Sequence, residues 1–272
     1  MNNDVKDKRN ISVKHRDDQY AEKYRTSIWC EQAGEENPFI ETSVSCHGYA
    51  LEELANKVDF SQMLFLMLKG ELPDKAQHNF FNKLLVTFSH PGVRHEATRA
   101  SILAGVGKTI PENVLPTAML VFGGERTGAG GIAQIMKFIA KNKRKSPQEV
   151  IDKKVELRGF GSYYGAVDGM AKKMAGWLVE EPYETPHLKW AIEMGAALEA
   201  ESNNCGLLKA GTAAAAFCDL GIMPKYAVGL YQLISAPGML AQGFEHANKA
   251  PTVLPFVGDE DYELKAMEPG HE

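Results

Sequence analysis

A glycine-rich stretch at residues 123–131, with the sequence GGERTGAGG, separates two apolar runs and limits how the surrounding chain can fold. The preceding run is AMLVF at 118–122, and the following run is IAQIMKFIA at 132–140. Such runs predict two hydrophobic helices, and glycines between them let the two backbones approach closely. The corner carries one carboxylate, one guanidinium and one hydroxyl: Glu125, Arg126 and Thr127. Free amides at the start of the second helix favour an anion. The stretch is therefore either a ligand site or a tight turn without a ligand.

Helical periodicity continues through most of the remaining sequence. Helix start and stop signals predict helices over 59–70, 74–89, 94–105, 114–122, 130–143, 167–180, 186–201, 211–220, 224–234 and 238–247. Before residue 50, two short segments at 27–29 and 39–45 are rich in branched residues and predict a small hairpin or an extended arm. Almost no segment after residue 50 has strand character. The predicted fold class is all-α.

Composition narrows the function classes. The net charge of −5 argues against a nucleic-acid surface, and no apolar run reaches the length of about 20 residues that a membrane span needs. Residues 1–27 are polar and lack the apolar segment of a signal peptide, so we expect a flexible tail and a cytoplasmic protein. The four cysteines form no Cys-x-x-Cys pair, and we expect no metal site. Residues 251–272 are acidic and rich in proline, which predicts a C-terminal arm.

Several motifs occur in the order found in the citrate synthase superfamily. They are Gly48-Tyr49, Glu-Glu-Leu at 52–54, an aromatic-led helix at 60–68, Gly-Glu-Leu-Pro at 70–73, His90, the corner at 123–131, Gly-Phe-Gly at 159–161 and Gly-Met-Leu-Ala-Gln at 238–242. The chain resembles this superfamily from about residue 28 to 250. Gly-Glu-Arg at 124–126 is most similar to the citryl-CoA lyase module at the end of ATP-citrate lyases.

The resemblance implies an all-α homodimer whose active site lies in a cleft between two domains. The large helical domain would comprise residues 28–127 and 206–250, and the small inserted helical domain residues 128–205. Family members make or break a carbon–carbon bond next to a coenzyme A thioester, which is a substrate, and they need no metal. A carboxylate takes a proton from the α-carbon, histidines support the enolate and the partner carbonyl, and arginines hold the carboxylates.

This sequence departs from the family pattern at most of those positions. The enolate histidine corresponds to Thr127, and the histidine after Gly-x-Gly corresponds to Ser162, with Tyr163 where arginine is common. The other replaced positions are Ala210 for the aspartate, Ser235 for the arginine and Gln242 for the last histidine. Only His90 keeps a substrate-facing position.

The resemblance assigns candidate roles on this basis. The catalytic candidates are Thr127, Ser162 and His90, because hydroxyls can donate to an enolate oxygen. The substrate-binding candidates are Glu125, Arg126, Tyr163 and Gln242, and the coenzyme A candidates are Arg158, Gly159, Phe160 and Gly161. No carboxylate clearly replaces the lost base, and the candidates by neighbourhood are Glu125, Asp168, Glu201 and Glu245.

Three functions remain open from the sequence. The first is an enzyme with a rebuilt active site that acts on an acyl-CoA or a carboxylic acid by Claisen-type condensation or cleavage. The second is a non-catalytic homologue that serves as a ligand-binding regulatory or scaffolding subunit. The third is an enzyme with a different reaction that uses Thr127, Ser162 or Tyr163. The missing aspartate and histidines favour the second, and the retained glycine corners favour a ligand-bound cleft.

Overall fold

The computed structural model describes residues 25–202, 204–255 and 257–263. Within these ranges the α-helices are α1 Leu51–Lys57, α2 Phe60–Lys69, α3 Lys75–Thr87, α4 Glu96–Val106, α5 Pro111–Phe122, α6 Ile132–Asn142, α7 Pro147–Ile151, α8 Gly169–Val179, α9 Pro186–Glu201, α10 Lys209–Asp219 and α11 Pro224–Ala247. The strands are β1 Trp29–Ala33, β2 Glu41–Cys46, β3 Tyr49–Ala50, β4 Phe160–Gly161 and β5 Gly206–Leu207. The fold is therefore all-α, as the sequence predicts.

Contacts divide the chain into two compact units, 1–59 and 60–272. The predicted tail lies mostly outside the described residues, as does the end of the predicted C-terminal arm at 264–272. The described part of that arm contains two short 3-10 turns, Pro251–Val253 and Asp259–Asp261. The predicted inserted domain at 128–205 stays a prediction.

The first unit contains the predicted hairpin. Strands β1 and β2 pair antiparallel, with Trp29 opposite Cys46, and β2 then pairs with β3. His47 and Gly48 link β2 to β3, and both have positive φ, at 47° and 87°. Two consecutive residues in this region are typical of a type I′ turn, which matches the twist of paired strands. Helix α1 follows β3 directly.

Side-chain caps set the starts of several helices in the second unit. Asp74 and Gln77 form a reciprocal capping box at the start of α3. Ser146 accepts a hydrogen bond from the backbone of Glu149 at the start of α7, and the Asp168 carboxylate accepts two backbone N–H bonds at the start of α8. These polar side chains satisfy amides that lack helical partners, and Asp74 and Asp168 lie within one residue of the predicted helix starts at 74 and 167.

Helix α10 occupies the centre of the second unit. Residues 210–217 of this helix are all buried, and α10 packs against α6, α8 and α9. Its run of alanines keeps the side chains short, so that neighbouring helices can approach closely. The start of α10 is also joined to the rest of the unit by the two-residue pairing of β4 with β5, in which Phe160 lies opposite Leu207. This small ladder is an exception to the expectation of almost no strand after residue 50.

Helix α11 corrects one prediction. We predicted two helices, 224–234 and 238–247, because Ala-Pro-Gly at 236–238 is typical of a helix break. The structure has one continuous helix with Pro237 inside it. The backbone N–H of Gly238, next to the proline, donates a hydrogen bond to the Ser89 carbonyl oxygen at 2.9 Å. The loop after α3 therefore supplies an acceptor for this N–H group. A tertiary hydrogen bond therefore overrides the local break signal.

Candidate functional site

The second unit contains a cavity of about 580 Å³, a volume typical of small-molecule sites. It lies where the loop after α3, the glycine corner, the loop before α8 and the first turn of α10 meet the middle of α11. The lining residues are Phe88, His90, Pro91, Gly92, Val93, Arg94, His95, Glu96, Phe122, Thr127, Tyr163, Tyr164, Ala166, Val167, Asp168, Gly169, Met174, Leu208, Lys209, Ala210, Tyr231 and Ser235.

Positions that the family resemblance singles out meet at this cavity. His90, Thr127 and Tyr163 line it, although they come from three separate segments. Ala210 and Ser235, which the resemblance aligns with the family's aspartate and arginine, line it as well. The structure thus brings five of these positions together around one space.

His90 is held by its own loop and by α11. The backbone N–H of Gly92 donates to His90 Nδ1 at 2.8 Å, so in the neutral ring the proton is on Nε2. Burial, with a contribution from the positive charge of Lys209, lowers the pKa of His90. The ring lies against Gly238, where an added Cβ would be 2.4 Å from the ring. His90 is therefore a neutral imidazole that can donate a hydrogen bond from Nε2.

The loop that carries His90 is fixed at two further points. The Ser235 hydroxyl donates to the carbonyl oxygen of Phe88 at 3.2 Å, and Gly238 binds the Ser89 carbonyl oxygen. Ser235, which the resemblance aligns with the family's arginine, therefore serves to anchor a loop. A neutral hydroxyl there supplies no charge for a substrate carboxylate.

Thr127 is tied to the start of α4. Its hydroxyl donates to Glu96 Oε2 at 3.2 Å, and its carbonyl oxygen lies 2.9 Å from His95 Nε2. His95 Nδ1 accepts the backbone N–H of Ala97 at 3.1 Å, so Nε2 carries the proton and donates to Thr127. Both nitrogens of His95 are thus occupied, and this histidine positions the glycine corner.

The Glu96 carboxylate is stabilised in its charged form. A hydrogen bond from its own backbone N–H makes the largest contribution to lowering the pKa of Glu96, and His95 and the Thr127 hydroxyl add to it. Glu96 is exposed at the edge of the cavity. While this bond persists, the Thr127 proton points at Glu96 and is not available to an enolate oxygen.

Tyr163 links the loop before α8 to the glycine corner. Its hydroxyl donates to the backbone carbonyl oxygen of Arg126, and burial is the main cause that raises the pKa of Tyr163. Ser162 lies beside it but does not line the cavity, and its hydroxyl donates to the carbonyl oxygen of Ala166 at 3.0 Å. The two hydroxyl groups therefore hold the loop in place.

Three predicted substrate contacts lie away from the cavity. Glu125 and Arg126 are exposed in the corner and do not line the cavity. Gln242 lies two turns beyond the middle of α11, and its amide donates to Glu245 at 3.3 Å. Substrate contact by these side chains stays a prediction.

The predicted coenzyme A contacts also lie outside the cavity lining. Phe160 is buried, with ring centroids 6.3 Å from Phe138 and 6.1 Å from Trp190. Gly159 packs against Gly211 of α10, and Gly161 pairs with Gly206. Arg158 is exposed and bonded to Glu156 at 2.8 Å. This corner packs the helices, and its contact with coenzyme A stays a prediction.

Among the candidate bases, only Asp168 lines the cavity. Its Oδ1 accepts the backbone N–H groups of Met170 and Ala171, and Oδ2 has no hydrogen-bond partner within the described part of the chain. Glu201 accepts a bond from Gln148, and Glu245 is paired with Lys249 at the surface. Asp168 is thus the candidate that geometry favours for proton transfer.

Arg94 and Lys209 contribute positive charge to the cavity. Neither has a carboxylate partner within 4 Å among the residues that the structure describes. Unpaired cations at the edge of a cavity are suited to bind a carboxylate or a phosphate. Lys209 lies in the first turn of α10, one residue before Ala210.

Tyr231 is a buried polar side chain in the lining of the cavity. It is 5% exposed, and its ring packs between Phe88 and Phe122 at centroid distances of 5.7 and 5.3 Å. The hydroxyl forms no hydrogen bond with any residue of the described ranges. Burial is the main cause that raises the pKa of Tyr231, so the group is a neutral donor.

Sequence reasoning missed Arg94, His95, Glu96, Lys209 and Tyr231. A signal existed for the first three, because Arg-His-Glu at 94–96 directly follows the break after His90 and starts a helix. Tyr231 had no such signal, since its spacing matches an ordinary buried helix face. Its role depends on which residues it meets in three dimensions.

The described residues contain neither a cluster of metal-ligating side chains nor a membrane-spanning helix. Within those ranges, no group of three or more His, Cys, Asp and Glu side chains is arranged to hold a metal ion. None of the helices described is both long enough and apolar enough to cross a membrane.

The fold is that of citrate synthase-like proteins. No family model and no curated protein matches the sequence. Among solved structures, citryl-CoA lyase from Hydrogenobacter thermophilus is similar, with a TM-score of 0.70 and 21% identity over 92% of this chain and 96% of that chain.

Two other solved structures share the fold. ATP citrate lyase from Methanothrix soehngenii, in complex with citrate and coenzyme A, has a TM-score of 0.67 and 15% identity over 92% of this chain. This chain spans 44% of that larger one. Citrate synthase from Thermoplasma acidophilum, in a ternary complex with carboxymethyl coenzyme A and oxalacetate, has a TM-score of 0.56 and 15% identity over 77% of this chain and 59% of that one.

Proposed function

We propose that the protein acts on a carboxylic acid or an acyl-CoA thioester by Claisen-type carbon–carbon cleavage or condensation, in a rebuilt active site. The observation that carries the proposal is the convergence of His90, Thr127, Tyr163, Ala210 and Ser235 on one cavity. Two of the neighbours with the same fold are complexes, one with citrate and coenzyme A and one with carboxymethyl coenzyme A and oxalacetate, which supports the ligand class.

The chemistry in the cleavage direction needs a base and an oxyanion donor. The base takes the proton from the oxygen of the hydroxyl group on the β-carbon of the thioester. As that oxygen becomes a ketone, the electrons of the carbon–carbon bond move to the α-carbon, and the resulting enolate then takes up a proton. We assign the base to Asp168 and the hydrogen bond to a substrate oxygen to His90 Nε2.

The remaining charges would orient the substrate. Arg94 and Lys209 supply cations for a carboxylate or a phosphate at the edge of the cavity. Thr127 can serve as an enolate donor after its hydroxyl leaves Glu96, at the cost of that hydrogen bond. Ser162 is bonded within its loop, so we assign it a structural part and retain it as a catalytic prediction only.

A second function is supported by one specific observation. Ala210 lines the cavity at the family's aspartate position and offers no carboxylate. The same cavity would then bind its ligand without turnover, as the site of a regulatory or scaffolding subunit. The two functions share the ligand site and differ only in chemistry.

Calorimetry and a thioester assay separate these functions. Binding of coenzyme A, acetyl-CoA and citrate is measured by calorimetry on the wild type and on Thr127→Ala and Arg126→Ala. Cleavage or condensation is then followed with citryl-CoA, or with acetyl-CoA and oxaloacetate, in the wild type and in Asp168→Asn. Asparagine keeps the cap on α8, and the exposed Asp152→Asn is the matched control.

We expect turnover that falls at least about 100-fold in Asp168→Asn and stays unchanged in Asp152→Asn. Ligand binding without turnover in the wild type would favour the non-catalytic function. If none of the three ligands binds, both functions are contradicted for these ligands.

We also propose a homodimer, as the resemblance implies. Large apolar side chains on α4, α5 and α11 are exposed in the described chain, including Leu103, Leu120 and Leu233. A partner surface would cover them. Sedimentation equilibrium tests this, and a monomer at micromolar concentration would contradict it.

A further inference from the structure

Charged and uncharged side chains of the cavity lining differ in their burial. All of its buried lining residues are uncharged: Phe88, Phe122, Met174, Leu208, Ala210, Tyr231 and Ser235. We call this set the floor. Arg94, Glu96, Asp168 and Lys209 carry the charges, and all of them are exposed or half-buried. We call these four the rim.

A carboxylate would be unfavourable at the floor. The floor has no cation, and a buried charge without a partner costs several kcal/mol. The hydroxyl of Ser235 is already bonded to the Phe88 carbonyl oxygen. The negative charge of Asp168 lies near enough to Tyr231 to add to the rise of its pKa, and it would repel a second anion. A ligand that carries two or three carboxylates therefore fits this cavity poorly.

One polar contact at the floor remains open. The Tyr231 hydroxyl faces the cavity without a partner in the described residues, and its ring is fixed by Phe88, Phe122 and Phe217. A ligand oxygen that reaches this hydroxyl can accept its hydrogen bond. The aromatic contacts keep the hydroxyl in place before the ligand arrives.

We propose that the ligand is a monocarboxylate, with its charge at the rim near Arg94 and Lys209 and its apolar body at the floor. A neutral keto or hydroxyl oxygen on that body accepts a hydrogen bond from Tyr231. This inference rests on the proposed function, because it names the substrate class for the same cavity.

Three five-carbon acids test the inference directly. Levulinate has one carboxylate and a keto oxygen, valerate lacks the keto oxygen, and glutarate has a second carboxylate in its place. Affinities come from ligand-observed NMR titration of the full chain, with citrate and acetyl-CoA as references. We expect levulinate to bind about five-fold more tightly than valerate, and valerate more tightly than glutarate.

Substitutions test which residue contacts the keto oxygen of the ligand and which contacts its carboxylate. Tyr231→Phe keeps the ring packing and should weaken levulinate about five-fold, to the affinity of valerate, while valerate is unchanged. Tyr226→Phe is the matched control, because Tyr226 is on the same helix and does not line the cavity. Lys209→Gln should weaken levulinate and valerate alike by about five-fold, and the exposed Lys173→Gln should not.

The outcomes separate this inference from the proposed function. Tighter binding of glutarate or citrate than of levulinate would overturn the monocarboxylate assignment and leave a carboxylate site in the cavity. Equal loss of levulinate and valerate in Tyr231→Phe would overturn the hydrogen bond to the keto oxygen. If the wild type binds none of the five compounds (levulinate, valerate, glutarate, citrate and acetyl-CoA), the inference and the proposed function are overturned together.

Discussion

The two glycine corners of the chain, at 123–131 and 159–161, use the same residue for different purposes. In the first corner, glycines let the chain fold back on the end of α5, and this brings Thr127 to the cavity. In the second, Gly159 packs against Gly211 of α10 and directs Phe160 into the core. Glycine content alone therefore does not identify a ligand site. The side chain that a corner presents, and the space it faces, decide its function.

The largest expected loss of stability comes from a glycine substitution in the first corner. An added Cβ at Gly128 would lie 2.0 Å from the Phe122 carbonyl oxygen, which is backbone and cannot move without disrupting α5. We expect Gly128→Ala to lower the free energy of unfolding by about 3 kcal/mol in urea denaturation. At Gly124 the nearest atom would be 3.4 Å away, so Gly124→Ala should change stability by less than about 0.5 kcal/mol. Equal effects at the two positions would contradict this account of the corner.

Replacement of Gly159 in the second corner should be destabilising for two reasons, backbone strain and steric contact. Gly159 has a φ of +87°, and its added Cβ would lie 2.6 Å from Ile135 Cγ2 and 3.0 Å from Gly211 Cα. We expect Gly159→Ala to cost about 2 kcal/mol, measured in the same urea series. Gly165 has a similar φ of +73° with open space around it, so Gly165→Ala isolates the backbone strain at about 1 kcal/mol. If Gly165→Ala costs as much as Gly159→Ala, packing has no part in the second corner.

Tyr163 joins the two corners, because it follows the second in sequence and bonds to Arg126 in the first. Loss of that hydroxyl in Tyr163→Phe should lower the free energy of unfolding by about 1 kcal/mol and speed amide exchange over 163–169. Tyr164 is 79% exposed, and Tyr164→Phe is the control that should change neither quantity. Unchanged amide exchange in Tyr163→Phe would mean that the loop is held by other contacts.

The smallest effect concerns pH and the bond between Thr127 and Glu96. The pKa of Glu96 is lowered from 4.5 in the folded chain, so its contribution to stability is present above pH 4.5 and is lost as pH falls through the folded value. Because the side chain is half exposed, the contribution is only about 0.3 kcal/mol. Urea denaturation at several pH values should show Glu96→Gln less stable than the wild type near pH 7, with the two converging in acid. If the difference in the free energy of unfolding between Glu96→Gln and the wild type is the same at all pH values, ionisation of Glu96 is not its cause.

Much of the fold could be predicted from local signals. Asp74 was readable as a helix start because capping depends on residues within one turn, and the predicted start at 167 lies next to Asp168, the cap of α8. Pro237 misled the prediction because the acceptor that satisfies Gly238 is Ser89, which is far away in the sequence. Boundaries that depend on local chemistry were therefore accessible, and one that depends on a tertiary bond was not.

The candidate site was predictable only where a motif preserved it. The resemblance led to His90, Thr127 and Tyr163, which line the cavity, and also to Gln242 and Arg158, which do not. Tyr231 and Lys209 could not be found in this way, because their importance comes from the lack of hydrogen-bond or ion-pair partners among the residues that the structure describes. A missing partner is a property of the folded chain and leaves no pattern in the sequence.

Hydrogen–deuterium exchange with bound ligand tests the central claim most directly. Exchange is followed by mass spectrometry in the full chain, alone and with saturating acetyl-CoA, citrate or levulinate, using overlapping peptides. If the first corner faces the ligand site, at least one ligand will protect amides at 88–96, at 123–131 and at 163–169. The peptide over 157–161 reports separately on the predicted coenzyme A contact. Unchanged exchange in all three cavity segments with every ligand would contradict the claim.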